Sequence, residues 1–272
     1  MLKQRVITAI ILASVFLPAM FKLPETGWLL LVGIIVMLGA WEWLKLAKMR
    51  GLAAVIYLLL TLMMYLVLVW IYFNLPPQQI ILPRLIIYGV AAVFWVVIVP
   101  AWFIAGWKPD SLLLMGIVGW LVLLPTGMAM LDLRAENPQP WWLLGVMGLV
   151  WVADISAYTA GRKFGRHKLA PAISPGKTWE GVAGAMLGVL VYMVIVMRAS
   201  GMTQHYAVLL YAIVGVALAV IGDLFESAIK RQAGVKDSGK LLPGHGGILD
   251  RVDALTSTLP LAALALLLAR YS

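Results

Sequence analysis

Carboxylates, basic residues and glycines are concentrated in residues 227–253 of an otherwise apolar chain. These 27 residues hold five of the 21 Lys and Arg, three of the 12 Asp and Glu, and five of the 25 Gly. Carboxylates are hard ligands that suit Mg²⁺, while ammonium and guanidinium groups and free backbone amides bind phosphate oxygens. The segment therefore predicts a site for charged, phosphorylated ligands.

A polar stripe precedes this segment on a predicted helix. Asp223, Glu226, Ser227 and Lys230 are spaced i, i+3, i+4 and i+7, which places them on one helix face. Glu226 and Lys230 form a favourable i,i+4 ion pair, so a simple salt-bridge stripe is the alternative interpretation. That alternative leaves Asp223 without an obvious partner, and we predict that Asp223 binds a metal ion.

Two further carboxylates stand one helical turn apart at the start of the last helix. Asp250 and Asp253 are spaced i, i+3 and can converge on one hard cation. The alternative is an N-terminal cap with a first-turn acid favoured by the helix dipole. Cap chemistry accounts for neither Arg251 nor the His245-Gly246-Gly247 run, and we predict that these four residues contact substrate. The alternatives are an ordinary tight turn for the glycines and a polar loop residue without a chemical role for His245.

A second basic loop follows an acid inside an apolar span. An ionisable residue such as Asp154 costs free energy within a membrane helix, so it needs a partner, a cavity or a function. We include Asp154 as a metal ligand, with a weaker case than the other acids. Ser174 and Lys177 belong to an S-P-G-K-T turn that we predict to open the next helix as an anion site. The segment does not match the P-loop pattern. The alternative to an anion site is that the cations of this loop only determine the membrane topology.

The elements that position these residues are predicted to be membrane helices. The chain is 63% hydrophobic and 12% charged, its mean hydropathy is +0.96, and it has no cysteine, which excludes disulfides and thiol chemistry. We predict an all-α, polytopic membrane protein rather than a barrel, because strand-like alternation is absent. Nine apolar runs cover residues 6–21, 27–44, 52–73, 85–106, 111–131, 141–161, 179–197, 206–227 and 254–268.

The distribution of cations predicts an orientation with a cytoplasmic N-terminus. If nine helices alternate, 16 Lys and Arg fall inside and five outside. Loops 162–178 and 228–253 then share the cytoplasmic face. The net charge of +9 is explained by this topology, and we predict no nucleic-acid partner.

We predict one domain, residues 1–272, with residues 1–140 mainly scaffold and residues 141–272 catalytic. Glu42 is interpreted as a helix-end or interhelical contact.

At this point a family resemblance is visible. The run S-x-I-K-R-x4-K-D-x-G-x2-L-P-x-H-G-G-I-x-D-R-V-D over residues 227–253 resembles the phosphatidate cytidylyltransferase signature, also called CDP-diacylglycerol synthase. No defined position departs from it. Asp154, the S-P-G-K-T-W-E-G loop and Gly222-Asp223 are also similar, whereas residues 1–140 resemble the family only in being apolar and multi-spanning.

The resemblance implies a Mg²⁺-dependent enzyme of the inner membrane that joins CTP to phosphatidic acid. It implies CDP-diacylglycerol and pyrophosphate as products, with a second cation and a homodimer as further expectations. We assign Asp223, Asp250, Lys230 and Lys236 as catalytic, with Asp223, Asp250 and Asp253 on Mg²⁺. The expected substrate-binding residues are Ser174, Lys177, Ser227, Arg231, Asp237, His245, Gly246, Gly247 and Arg251.

Two alternatives remain open from the sequence. The first is a CTP-dependent polyprenol or lipid kinase, or a synthase that uses a different lipid, although the complete signature argues against it. A cation-coupled transporter would use intramembrane acids such as Asp154 and Asp223. Transporters often have paired repeats with broken helices near the midplane, whereas these acids lie beside basic loops.

Overall fold

The computed structural model describes residues 2–136, 140–201, 205–242 and 244–271. Ten α-helices, one π-helical turn and two short strands occur in these ranges. In chain order they are α1 (Leu2–Lys22), α2 (Glu25–Leu46), α3 (Gly51–Asn74), α4 (Pro77–Val93), the π turn (Phe94–Ile98), α5 (Val99–Ala105), α6 (Leu112–Ala135), α7 (Trp141–Phe164), β1 (Lys168–Ala170), β2 (Ser174–Thr178), α8 (Trp179–Ser200), α9 (His205–Ala233) and α10 (Leu249–Tyr271).

The predicted class of polytopic helical membrane protein is confirmed. Within the described ranges, eight helical segments are long and apolar enough to cross a membrane, with α4, the π turn and α5 counting as one segment. Helix α1 contributes a shorter apolar stretch, Ile7–Lys22. Each of the nine predicted runs coincides with one of these helical segments, while the number that crosses the membrane stays a prediction.

Several predicted boundaries are wrong. The predicted run 85–106 begins too late, because helix α4 already begins at Pro77. Pro83 lies inside this helix, where it removes one backbone hydrogen bond and not the whole ladder. A π turn precedes Pro100 of α5, and its wide Val99 N–H to Phe94 O bond makes room for the proline ring. The predicted 228–253 loop is shorter, because helix α9 continues to Ala233.

Loop 162–178 contains a β-hairpin that the sequence did not predict. Strands β1 and β2 pair antiparallel, with Lys168 opposite Thr178 and Ala170 opposite Ser174. Ser174 and Lys177 therefore lie on an extended strand and not on a turn that opens a helix. The strands are short and β2 contains proline and glycine, so no periodic signal distinguishes them from a loop.

The segments predicted to lie inside meet at one end of the bundle. Lys177 pairs with Asp223, and the Gln232 amide donates to the Pro109 carbonyl at 2.7 Å, which joins loop 106–111 to the end of α9. Segments predicted to lie outside meet at the other end. There Arg134 bonds the Met20 carbonyl at 2.8 Å, and Arg270 pairs with Glu136 at 2.9 Å. The alternating topology is thereby supported, while its absolute orientation stays a prediction.

Helices α6 and α10 occupy the centre of the bundle. Helix α10 packs against α4, α6, α7 and α9, and most residues of α6 from Met115 to Leu133 are buried. Small hydroxyl residues join the central helices, since Thr126 reaches the Thr256 carbonyl at 3.3 Å and Ser257 donates to Leu218 at 2.8 Å. Hydrogen bonds between helices are one source of cohesion where lipid surrounds the bundle.

An aromatic cluster fixes the rotation of α9. Phe225 is 1% exposed, and its ring lies edge-on to Phe94, Trp95 and Trp102 at centroid distances of 5.5, 5.4 and 5.4 Å. The π turn contributes the first two of these partners. Because Phe225 points away from the polar stripe that begins at Asp223, the cluster directs that stripe toward α10 and the hairpin.

We predict that Phe225→Ala destabilises the protein, because each aromatic pair contributes roughly 0.5–1.5 kcal/mol beyond its buried area. The measurement is the thermal unfolding midpoint of the purified protein in detergent. Phe73→Ala is the matched control, since that ring is 45% exposed and its edge contact is with Tyr72 of the same helix. Equal midpoints for the two variants would contradict this role of Phe225.

Candidate active site

The hairpin holds Lys177 beside the start of α8. Thr178, the last residue of β2, caps that helix by accepting the Gly181 N–H at 3.1 Å. The Glu180 carboxylate accepts the N–H groups of Arg166 and His167 at 3.1 and 3.2 Å, and lies 2.6 Å from the His167 ring nitrogen. The connection from α7 is therefore tied back to the first turn of α8.

Lys177 reaches across to α9. Its ammonium lies 2.6 Å from the Asp223 carboxylate, and the two side chains are 22% and 31% exposed. The other oxygen of Asp223 accepts the Ser227 hydroxyl at 3.3 Å. Helical spacing left Asp223 without an obvious partner. The structure supplies one in Lys177, from a loop about fifty residues earlier in the sequence.

Two more carboxylates lie near this pair. Asp154, exposed on α7, is within electrostatic range of Asp223, Lys177 and Arg251. Asp253 on α10 is within electrostatic range of Asp154, Asp223 and Glu226. Repulsion among these acids favours a nearby positive charge, which Lys177 supplies at Asp223.

Lys230 joins α9 to α10. Its ammonium contacts Glu226 at 3.0 Å and Asp250 at 2.6 Å, and the residue is 8% exposed. The i,i+4 ion pair considered above therefore exists. It extends to a second carboxylate that the helical spacing alone did not indicate.

Asp250 organises the glycine-rich loop. Its first oxygen binds Lys230, and its second accepts the Ser238 N–H at 2.9 Å, the Ser238 hydroxyl at 3.0 Å and the Gly247 N–H at 2.8 Å. Gly246 has φ 81°, and a Cβ there would overlap the Asp250 carboxylate. The Gly-Gly pair thus lets the loop backbone wrap Asp250.

The remaining predicted residues surround these pairs. Arg231 donates to the carbonyls of Ile173 and Val235 at 3.4 and 3.2 Å, which ties α9 to the hairpin. Arg251 donates to the His245 carbonyl at 3.1 Å. Ser174 is half-buried on β2, and Lys236 and Asp237 are exposed at the start of the loop. For these last two, the described ranges contain no ion pair.

Sequence reasoning assigned no site role to Glu42 or Ser238. Glu42 of α2 is 2% exposed and accepts the N–H groups of Ile248 and Leu249 at 3.0 and 2.9 Å, as well as the Ser238 hydroxyl at 2.9 Å. The prediction that Glu42 makes a helix-end or interhelical contact is confirmed. An acid between two tryptophans in an apolar helix was the available signal, whereas Ser238 is not a defined position of the signature.

The donor set fits Mg²⁺ by its chemistry. Asp154, Asp223 and Asp253 offer carboxylate oxygens, which Mg²⁺ prefers. The three negative charges lie close enough to repel one another, and a bound cation would relieve this repulsion. Within the described part of the chain, however, no group of three or more His, Asp or Glu side chains is already arranged around a metal position. Asp250 is the least available of the predicted ligands, because its two oxygens accept four hydrogen bonds, whereas those of Asp223 contact only Lys177 and Ser227.

Comparison with known proteins extends the family resemblance of residues 227–253 to nearly the whole chain. A model of the cytidylyltransferase family matches residues 3–269. The phosphatidate cytidylyltransferase of Haemophilus influenzae is 36% identical over 280 residues, covering 96% of each chain. That of Pseudomonas aeruginosa is 38% identical over 275 residues, covering 97% of this chain and 96% of its own.

A relative of the same name from Staphylococcus epidermidis is 44% identical over 137 residues, about half of each chain. These matches and the convergence of the hairpin, α9 and α10 lead to one conclusion: the chain belongs to the cytidylyltransferase family, together with the phosphatidate cytidylyltransferases that it resembles.

Proposed function

We propose that this chain transfers the cytidylyl group of CTP to phosphatidate and releases CDP-diacylglycerol and pyrophosphate. The observation that carries the proposal is the paired set of Lys177 with Asp223 and Lys230 with Asp250. These ion pairs join the three segments that resemble the family at one end of a membrane bundle. Relatives named phosphatidate cytidylyltransferase, aligned over nearly the full length, support the same substrates.

The reaction requires no covalent enzyme intermediate. A phosphate oxygen of phosphatidate attacks the α-phosphorus of CTP, forming a new P–O bond. The bond from that phosphorus to the β-phosphate oxygen breaks, and its electrons leave with pyrophosphate. Because phosphatidate already carries a nucleophilic oxygen, the protein has to align two polyanions and stabilise the charge that develops on the leaving group.

The basic residues supply that stabilisation in our proposal. Lys177 and Lys230 lie beside acids within the bundle. We propose that both ammonium groups contact phosphate oxygens when the substrates bind. Arg231, Lys236 and Arg251 lie nearer the exposed loop, where CTP arrives from water.

Mg²⁺ completes the proposed site. Asp223, Asp253 and Asp154 would hold it, and Asp250 would join them only by exchanging some of its present hydrogen bonds. When bound, the ion would neutralise charge on the triphosphate. A second cation is compatible with the number of acids in this neighbourhood.

We further propose an inner-membrane location with this end of the bundle in the cytoplasm. The 16 to 5 distribution of cations supports that orientation, and CTP is a cytoplasmic nucleotide while phosphatidate arrives laterally within the leaflet. The homodimer stays a prediction from the resemblance, tested by light scattering of the purified protein in detergent. The absence of a nucleic-acid partner also stays a prediction.

The direct experiment incubates purified protein with CTP, phosphatidate and MgCl₂ in mixed micelles. We expect CDP-diacylglycerol and pyrophosphate in equal amounts, and neither product when phosphatidate or MgCl₂ is omitted. Phosphorylation of a polyprenol or diacylglycerol in place of cytidylyl transfer would instead support the kinase alternative. If no CDP-lipid forms, the proposal fails.

We predict that Asp223→Asn raises the Mg²⁺ concentration for half-maximal activity by at least about 10-fold, the lower end for disturbing a metal-ligand shell. The reason is the loss of a full carboxylate charge beside Asp154 and Asp253. A Mg²⁺ titration of initial rates measures it. Asp110→Asn, an exposed acid at the same end of the bundle, is the control. An unchanged Mg²⁺ requirement would refute the metal role of Asp223.

We predict that Lys177→Met lowers kcat/KM by about 100-fold, the scale for losing one charged transition-state partner. Steady-state rates at varied CTP and at varied phosphatidate also show which substrate the ammonium contacts. The matched control is Lys168→Met, an exposed cation on the neighbouring strand of the same hairpin. Equal losses for both lysines would indicate a general surface-charge effect and contradict a specific role.

A further inference from the structure

Glu42 lies in the half of the chain expected to act as scaffold, yet it contacts the signature loop. Its carboxylate accepts the N–H groups of Ile248 and Leu249, which open α10, and the hydroxyl of Ser238. About two hundred residues of sequence separate Glu42 from these donors. Helix α2 therefore holds the start of α10 directly.

A carboxylate suits this position better than an amide. The three groups that face Glu42 all donate, and an ionised carboxylate is purely an acceptor, with two oxygens to receive them. The first amides of a helix are unsatisfied within the helix and carry partial positive charge, which favours an anion beside them. At 2% exposure, Glu42 has little solvent to replace these partners.

The loop backbone packs directly onto this carboxylate. A Cβ at Gly239 would overlap the Glu42 carboxylate, and a Cβ at Gly247 would overlap both that carboxylate and the Ser238 hydroxyl. The absence of a side chain at these two glycines thus allows the loop backbone to approach Glu42. Gly247 also donates its N–H to Asp250 at 2.8 Å, so the same residue lies between the two acids.

Ser238 links Glu42 to Asp250. Its hydroxyl oxygen lies 2.9 Å from Glu42 and 3.0 Å from Asp250. A hydroxyl has one proton, so it donates to one carboxylate at a time, while the Ser238 N–H remains with Asp250 at 2.9 Å. Asp250 in turn contacts the Lys230 ammonium at 2.6 Å.

We infer that Glu42 is a positioning residue for the reaction, acting through Ser238 and the α10 start to fix Asp250 and Lys230. The inference rests on the proposed function for the reaction affected. It assigns Glu42 no contact with substrate. Its effect is to keep residues 236–242 and 244–248 in the arrangement that places the Asp250 carboxylate and the Lys230 ammonium.

The test compares Glu42→Gln, Ser238→Ala and the control Glu25→Gln in the purified full chain. Glu25 lies at the opposite end of the same helix and is exposed. Hydrogen–deuterium exchange over residues 236–250 reports the loop, and kcat and KM for CTP report the reaction. We expect Glu42→Gln to raise loop exchange about 10-fold and lower kcat roughly 10–100-fold with a smaller change in KM, because a small misplacement costs about this much.

Ser238→Ala keeps the two amide contacts of Glu42 and should produce a smaller loss in the same direction. The double variant should lose less activity than the two single losses combined, because both single variants remove the Glu42–Ser238 hydrogen bond. Glu25→Gln should match the wild type in both measurements. Additive losses, or wild-type exchange and kcat in Glu42→Gln, would overturn the inference.

If Glu42→Gln unfolds, seen as raised exchange in every helix, Ser238→Ala decides. Wild-type kcat and loop exchange in that variant would overturn the inference, and a local rise with reduced kcat would support it. Failure of the proposed function is distinguishable, since the wild type would then make no CDP-diacylglycerol. In that event unchanged loop exchange in Glu42→Gln would still overturn the positioning of the loop.

Discussion

The Lys230 ammonium, held between the Glu226 and Asp250 carboxylates, is the interaction on which the rest of the site depends. A buried charge is tolerated only with close partners, and removing one partner of such a pair typically costs about 3–5 kcal/mol. Lys230 is 8% exposed, so α9 and α10 are joined at this point. Asp250 extends the constraint to Ser238 and Gly247, and therefore to the loop between the helices.

The apolar side of α9 makes this polar arrangement specific. Asp223 and Lys230 face the hairpin and α10, while Phe225 is enclosed by rings from the π turn and α5. Rotating α9 to change the polar contacts would withdraw Phe225 from that cluster. The aromatic packing and the ion pairs consequently select the same rotation of the helix, which is the consistency expected of a well-specified fold.

The spacing of residues in the sequence correctly predicted the features that depend only on local helix geometry. Helical periodicity placed Asp223, Glu226 and Lys230 on one face, and apolar runs located the helices. Spacing specifies a face and not a partner, so it could not show that Asp250 receives Lys230 and the loop amides. The sequence indicated a contact for Glu42 but not its partners, because these donors are about two hundred residues away and are mainly backbone groups, whose positions depend on tertiary structure.

The predicted division into scaffold and catalytic halves needs a physical qualification. Phe225 is fixed by rings from residues 94–102, Gln232 by the Pro109 carbonyl, and the start of α10 by Glu42. Every one of these contacts crosses residue 140. The residues predicted to carry the chemistry lie in the second half, and contacts from the first half help to orient them. Because an arrangement of buried charges must be held by its surroundings, the first half contributes to the geometry of the site as well as to its anchorage.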